Sequence, residues 1–131
     1  MYKLPIKRLE EFKVGIVYLY GSVVQGYESN LSDMDIGVVF VDPEALENSL
    51  EFYSRLYDIF DEAIRPKKEI DLVFLQQTSL GLQFNVVNEG KVIYETSREF
   101  RADYEERVLN EYLDFGGVID YFNEIAAEAF K

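Results

Sequence analysis

The most constraining feature of this chain is a pair of apolar, β-forming runs, the second of which carries two aspartates. Residues 14–20 form a nearly unbroken apolar run, and residues 33–41 form another that contains Asp33 and Asp35 at alternate positions. Both runs predict strands, the first of them buried. Because side chains alternate along a strand, the apolar residues of the second run are expected to face the core, with Asp33 and Asp35 on the opposite side.

The middle of the chain predicts a long helix followed by a third strand. Asp42-Pro43 is typical of a helix start, and the helix is expected to end before Arg65-Pro66. Residues 69–75 predict the third strand, and a strand–helix–strand unit favours a parallel crossover, with a mixed sheet also possible. The expected core stripe of the helix has spacings of 4, 3, 4, 3 and 4 residues, at Leu46, Leu50, Tyr53, Tyr57, Phe60 and Ile64.

The C-terminal part predicts further helices and one short strand. Thr96-x-x-Glu99 matches a capping box, which opens a helix. Gly116-Gly117 predicts a break after it. The expected elements are a helix over residues 79–89, a strand over 91–95, a helix to about 115 and a last helix over 118–130.

A length of 131 residues indicates a single domain. The predicted class is α/β, with a small mixed sheet, flanking helices and a C-terminal helical pair. We assign residues 1–131 to one domain, with a catalytic core at about 12–95 and C-terminal helices at about 97–130.

Composition excludes several functions. The 25 acidic and 13 basic residues give a net charge of −12, which repels nucleic-acid phosphates and could complement a basic protein partner, or could simply keep the protein soluble. The chain has no Cys and no His, which excludes disulfides, thiol nucleophiles, His-ligated zinc and a Ser-His-Asp triad. With no signal peptide and no membrane-spanning run, a cytoplasmic location is expected.

Gly21-Ser22 and the aspartates together suggest a nucleotide site. The glycine–serine pair leaves the first strand, and ten residues separate it from Asp33. Asp33 and Asp35 can reach the same metal ions because side chains at i and i+2 of a strand share a face. Ser22 can cap a helical turn, hold phosphate, or do both. The arrangement suits a nucleoside triphosphate held through two magnesium ions.

A third carboxylate, Asp71, interrupts the apolar third strand. If that strand lies beside the second, Asp71 joins Asp33 and Asp35 in a cluster that favours Mg²⁺, or Mn²⁺, because all its ligands are oxygens. Asp71 would then be best placed to take a proton from an acceptor hydroxyl. The alternatives are that Asp71 faces water on an edge strand, and that Asp33 and Asp35 are a turn residue and a solvent-facing residue.

Gly21-Ser22-x10-Asp33-x-Asp35, with Asp71 on a later strand, resembles the DNA polymerase beta-like nucleotidyltransferase superfamily. Within it, the short chain and the segments at residues 89–95, 101–102 and 111–115 are similar to the minimal nucleotidyltransferase (MNT) antitoxins that pair with HEPN-domain toxins.

The resemblance implies an antitoxin that transfers AMP from ATP to a tyrosine of a HEPN toxin and so silences it. It implies that Gly21 and Ser22 contact the triphosphate and that Asp33, Asp35 and Asp71 hold the metals. One position departs from the pattern, since Gln25 stands where relatives commonly have an arginine, and a neutral amide compensates less phosphate charge. The alternatives are an acidic antitoxin that neutralises its partner by binding alone, and a nucleotidyltransferase for a small molecule.

Overall fold

The computed structural model describes residues 3–21, 34–64 and 69–129; for residue 43 and residues 115–129 only the backbone is described. The α-helices are α1 (Ile6–Glu11), α2 (Ser49–Ala63), α3 (Leu80–Glu89) and α4 (Arg98–Ala129). The strands are β1 (Val14–Tyr20), β2 (Met34–Phe40), β3 (Ile70–Phe74) and β4 (Lys91–Glu95). Two short 3₁₀ helices cover Pro43–Asn48 and Leu75–Gln77.

The strands form one mixed sheet with the order β3-β2-β1-β4. β1 pairs antiparallel with β2 and with β4, whereas β2 and β3 are parallel. The parallel pair is joined through α2, as predicted for a strand–helix–strand unit. The predicted α/β class with a small mixed sheet and flanking helices is therefore confirmed.

Helices cover both faces of the sheet, and each face has its own core. On one face, α1 and α2 pack through residues such as Leu9 and Phe60, both fully buried. On the other face, α3 and α4 pack through Val86, Tyr104 and Val108. Burial of one large apolar side chain contributes about 1.5–3 kcal/mol, so these two layers hold the strands in place.

The long middle helix differs from its prediction in phase. Leu50 is 89% exposed and Tyr53 is 39% exposed, although both were placed on the core stripe. The segment Pro43–Asn48 is a 3₁₀ helix, and its three residues per turn do not keep the phase of an α-helix. As a result, α2 presents Leu56, Ile59 and Phe60 to the core.

The C-terminal helical region is confirmed, but the predicted break at Gly116-Gly117 is wrong. The helix α4 runs without interruption through both glycines. A glycine costs a helix about 1 kcal/mol relative to alanine but still permits helical dihedral angles. The helix packs beside α3, where the rings of Phe84 and Tyr112 stack with centroids 3.9 Å apart.

The observed cap of α4 lies one residue beyond the predicted one. Ser97, rather than Thr96, accepts a hydrogen bond from the Phe100 backbone N–H at 3.0 Å. Asp42, by contrast, caps its helix as predicted, because its Oδ1 accepts from Glu44 N–H at 3.0 Å. Within the ranges given above, no helix combines the length and apolar character needed to cross a membrane.

Candidate active site

The end of β1 and the beginnings of β2 and β3 lie next to one another at one end of the sheet. Tyr20, the last residue of β1, is the register partner of Asp35 on β2. Asp35 is in turn the register partner of Asp71 on β3. Register partners on neighbouring strands project to the same face, so the fold places Tyr20, Asp35 and Asp71 side by side.

Strand alternation orients Asp35. Its neighbours Met34 and Ile36 are 2% and 0% exposed and belong to the core beneath α1 and α2. Asp35 therefore projects to the other face, where it is partly exposed. This arrangement of apolar and acidic residues along β2 is the one that the sequence predicts.

Asp71 is both exposed on an edge strand and aligned with another carboxylate, two features that were stated above as alternatives. It lies on the edge strand β3 and is exposed, while Ile70 and Leu72 on either side of it are buried. It is also aligned with Asp35 across the parallel β2–β3 pair. The position leaves the Asp71 carboxylate next to Asp35 and open to a molecule that approaches from solvent.

Gly21 is needed at its position for two reasons. Its φ of +83° lies in the region that residues with side chains rarely adopt. A Cβ built on its backbone would also collide with Oδ2 of Asp35. Gly21 and Asp35 therefore lie against each other, and a side chain at residue 21 would displace the Asp35 carboxylate.

The remaining predicted residues lie outside the described ranges. These include Ser22 and Asp33, as well as Gln25. The three-carboxylate cluster is thus represented here by Asp35 and Asp71, and among the described residues no group of three or more acidic, His or Cys side chains is close enough to hold a metal ion. The assigned roles of Gly21, Ser22, Asp33, Asp35 and Asp71 remain predictions.

The residues that are described fit a divalent cation. Asp35 and Asp71 supply only oxygen donors, which are the ligands that Mg²⁺ and Mn²⁺ prefer. The absence of a side chain at Gly21 lets the Asp35 carboxylate lie against the turn. Two like charges on adjacent strands also repel each other, and a bound cation relieves that repulsion.

Tyr20 belongs to the candidate site although no motif in the sequence indicates it. Its side chain is partly buried, and burial, followed by the negative charges of Asp35 and Asp71, raises its pKa to about 12. In the sequence Tyr20 is simply the end of an apolar run. The β1–β2 register, which the sequence does not specify, brings it to the carboxylates.

Comparison with known proteins gives a consistent family assignment. The family model described as "Polymerase beta, Nucleotidyltransferase" matches residues 6–99. The protein adenylyltransferase MntA of Shewanella oneidensis is 33% identical over 89 residues, which make up 66% of this chain and 58% of that relative. The chain therefore spans a little under three fifths of the length of the curated relative that it matches.

Solved structures agree on the fold. A crystal structure of a toxin–antitoxin with AMP-PNP matches with a TM-score of 0.63 and 24% identity, covering 93% of this chain and 94% of that one. A crystal structure of the toxin–antitoxin MntA-HepT matches with a TM-score of 0.62 and 22% identity, covering 93% and 92%. A structure of a tri-AMPylated Shewanella oneidensis HEPN toxin in complex with MNT antitoxin matches with a TM-score of 0.57 and 22% identity, covering 93% of this chain and 92% of the matched one.

Proposed function

The chain belongs to the polymerase beta nucleotidyltransferase family, and on that premise we propose that it transfers AMP from ATP to a hydroxyl group of a HEPN-domain toxin. Transfer would neutralise the toxin, which makes this protein the antitoxin of a toxin–antitoxin pair. The similarity to an adenylyltransferase, and to an antitoxin solved with an AMPylated toxin, supports this choice of donor and acceptor.

The observation that carries the proposal is the alignment of Asp35 with Asp71 beside Gly21. The two carboxylates are register partners on adjacent strands, and a Cβ at Gly21 would strike Asp35. A pair of carboxylates next to a glycine turn suits a metal-bound triphosphate. The three residues of this geometry all lie in the part of the chain that the structure describes.

We assign roles as follows. Asp33, Asp35 and Asp71 would hold two Mg²⁺ ions, and Gly21 and Ser22 would contact the triphosphate. When bound, Mg²⁺ supplies charge compensation for the triphosphate and the leaving pyrophosphate. The acceptor oxygen forms a bond to the α-phosphorus, the bond from that phosphorus to the bridging oxygen breaks, and pyrophosphate leaves. Asp71 accepts the proton that the hydroxyl loses.

The exposed position of Asp71 suits an acceptor on another protein. Because β3 is an edge strand, a side chain of a partner can approach Asp71 without opening the sheet. We propose a tyrosine of the HEPN toxin as the acceptor. A cytoplasmic location belongs to the same proposal, since the donor ATP and an intracellular toxin meet there.

Incubation with labelled ATP and Mg²⁺, with and without the HEPN partner, tests the proposal. We expect label on the partner and none when Mg²⁺ is chelated.

Asp35→Asn should lower the transfer rate at least about a hundredfold, since several kcal/mol of charge stabilisation are lost. Asp58→Asn removes an equal charge from an exposed position of α2 and should leave the rate unchanged. Transfer to a small-molecule hydroxyl in place of the partner would contradict the proposal.

A binding-only antitoxin is the second candidate, and the net charge of −12 favours it. The Asp33→Asn, Asp35→Asn double variant separates the two readings. If the double variant still protects cells from the toxin as well as the unchanged protein does, binding suffices and the catalytic proposal fails. If protection is lost while the complex with the toxin still forms, transfer of AMP is the means of neutralisation.

A further inference from the structure

Two large apolar side chains are exposed on the outer side of α2. Leu50 is 89% exposed and Tyr53 is 39% exposed, and their spacing of three residues makes them neighbours on one side of the helix. The solvent-facing side of a helix is normally polar, so this apolar pair calls for a partner. Leu50 and Tyr53, together with the exposed glutamates Glu47 and Glu51, are called the α2 patch below.

The Tyr53 ring is held in place by two other rings. It stacks on Tyr57 of the same helix, with ring centroids 6.3 Å apart, and it meets Phe74 of β3 edge-on, with centroids 5.8 Å apart. A ring that is already ordered loses little conformational freedom when another protein binds. Tyrosine is also one of the residues that carry most of the binding energy in protein interfaces. The α2 patch is therefore pre-formed for contact with a protein.

The α2 patch lies beside the edge strand that carries Asp71. Tyr53 contacts Phe74, the last residue of β3, and Asp71 lies three residues earlier, about 10 Å along the strand. Because β3 is at the edge of the sheet, a protein that covers the patch can reach around the strand to the face with Asp71. A standard interface buries about 800 Å² on each partner, which is wide enough to include both places.

The charges around the α2 patch identify the kind of partner. Glu47 and Glu51 flank Leu50, and the chain has no Lys or Arg between Lys13 and Arg55. The Arg55 guanidinium lies 3.1 Å from the Glu51 carboxylate, so its charge is compensated. A second copy of this chain would bring the same glutamates and a net charge of −12, which is unfavourable, whereas a basic surface is attracted.

We propose that the α2 patch is the surface on which the HEPN toxin docks while its acceptor hydroxyl reaches Asp71. This inference rests on the proposed function, because it takes the toxin to be the protein that receives AMP. One acceptor side chain offers little binding energy, and an enzyme that modifies a protein gains the rest from contacts away from the reacting atoms. The toxin would present a basic surface with an apolar depression for Leu50 and Tyr53.

Leu50→Ala tests the docking surface, because a side chain that is 89% exposed can be shortened without disturbing the fold. We expect the Kd for the purified toxin, measured by isothermal titration calorimetry without ATP, to rise about tenfold. The KM for the toxin in the transfer assay should rise with it. Leu113→Ala is the matched control: it shortens a leucine that is 65% exposed on α4 and should leave both values unchanged.

The electrostatic part of the proposal has a test of its own. Affinity for the toxin should fall as the salt concentration is raised from about 0.1 M to 1 M, because salt screens exposed charges. Glu47→Gln removes one charge of the patch and should make the affinity less dependent on salt. Binding that does not change with salt, in the unchanged protein, would overturn the choice of a basic partner surface.

The outcomes separate this inference from the proposed function. If the unchanged protein transfers AMP and Leu50→Ala binds the toxin as tightly, or if Leu113→Ala weakens binding equally, the docking surface is refuted and the proposed function stands. If Leu50→Ala weakens binding but the unchanged protein transfers no AMP, the docking surface stands and the proposed function fails. If sedimentation shows that the chain alone is a dimer which Leu50→Ala dissociates, a second copy covers the patch and the inference is wrong.

Discussion

At the scale of single residues, the site depends on Gly21, whose backbone conformation is one that residues with side chains rarely adopt. We expect Gly21→Ala to lower AMP transfer by about a hundredfold, because the added Cβ would displace the Asp35 carboxylate. The positive φ should also cost about 1–3 kcal/mol of stability. Transfer assays and urea unfolding measure the two effects.

Gly81 provides the matched control for this substitution. It lies in α3, and a Cβ there would meet nothing within 4 Å. Gly81→Ala should therefore keep the transfer rate and stabilise the protein by about 0.5–1 kcal/mol. If both alanine variants behave alike, the special role of Gly21 is disproved.

At the scale of elements, Gln76 extends the β2–β3 pairing beyond the end of β3. Its Oε1 accepts from Phe40 N–H at 2.7 Å, and its Nε2 donates to Phe40 C=O at 3.1 Å. We expect Gln76→Leu to lower the free energy of unfolding by about 2–4 kcal/mol, because two backbone groups lose their partner. Gln77→Leu, at the exposed next position, should change it by less than about 0.5 kcal/mol. Urea unfolding compares the two variants, and equal losses would contradict the role of Gln76.

The cap of α4 is a second prediction at this scale. Ser97→Ala removes the oxygen that accepts the Phe100 N–H and should cost about 1 kcal/mol. Ser97→Asp keeps an acceptor and should retain the stability, which thermal unfolding can measure. A loss confined to Thr96→Ala would instead support the cap that the sequence predicted.

At the scale of the whole molecule, buried tyrosines make stability sensitive to alkaline pH. Burial is the first cause that raises the pKa of Tyr18, Tyr20, Tyr94 and Tyr104 above the ordinary value of 10.0. As the pH rises, the tyrosines lose their protons in the unfolded chain before they do so in the folded protein. The stability that the raised pKa values contribute is therefore complete below pH 10 and is lost as the pH rises through the pKa of each tyrosine in the folded protein, about 12 for Tyr20. Urea unfolding at pH 8 to 11 should therefore show a steep decline that begins near pH 10. Stability that stays level to pH 11 would contradict this.

Most of the secondary structure could be predicted because it depends on local patterns. The observed bounds of β1 and β4 are those predicted, since apolar β-forming runs with turn residues at their ends define a strand locally. The cap at Asp42 follows from a two-residue signal. The phase of α2 could not be predicted in this way, because a preceding 3₁₀ segment rotates the helix, as the exposure of Leu50 shows.

The sequence by itself determined the candidate residues of a nucleotide site, because carboxylates at alternate strand positions and a glycine–serine turn are local features. Only the tertiary structure decided which of the described residues meet. The alignment of Asp35 with Asp71 and the arrival of Tyr20 beside them depend on the pairing register of three strands. Register is determined by packing between segments far apart in the chain, and a shift of one residue would turn these side chains to the other face.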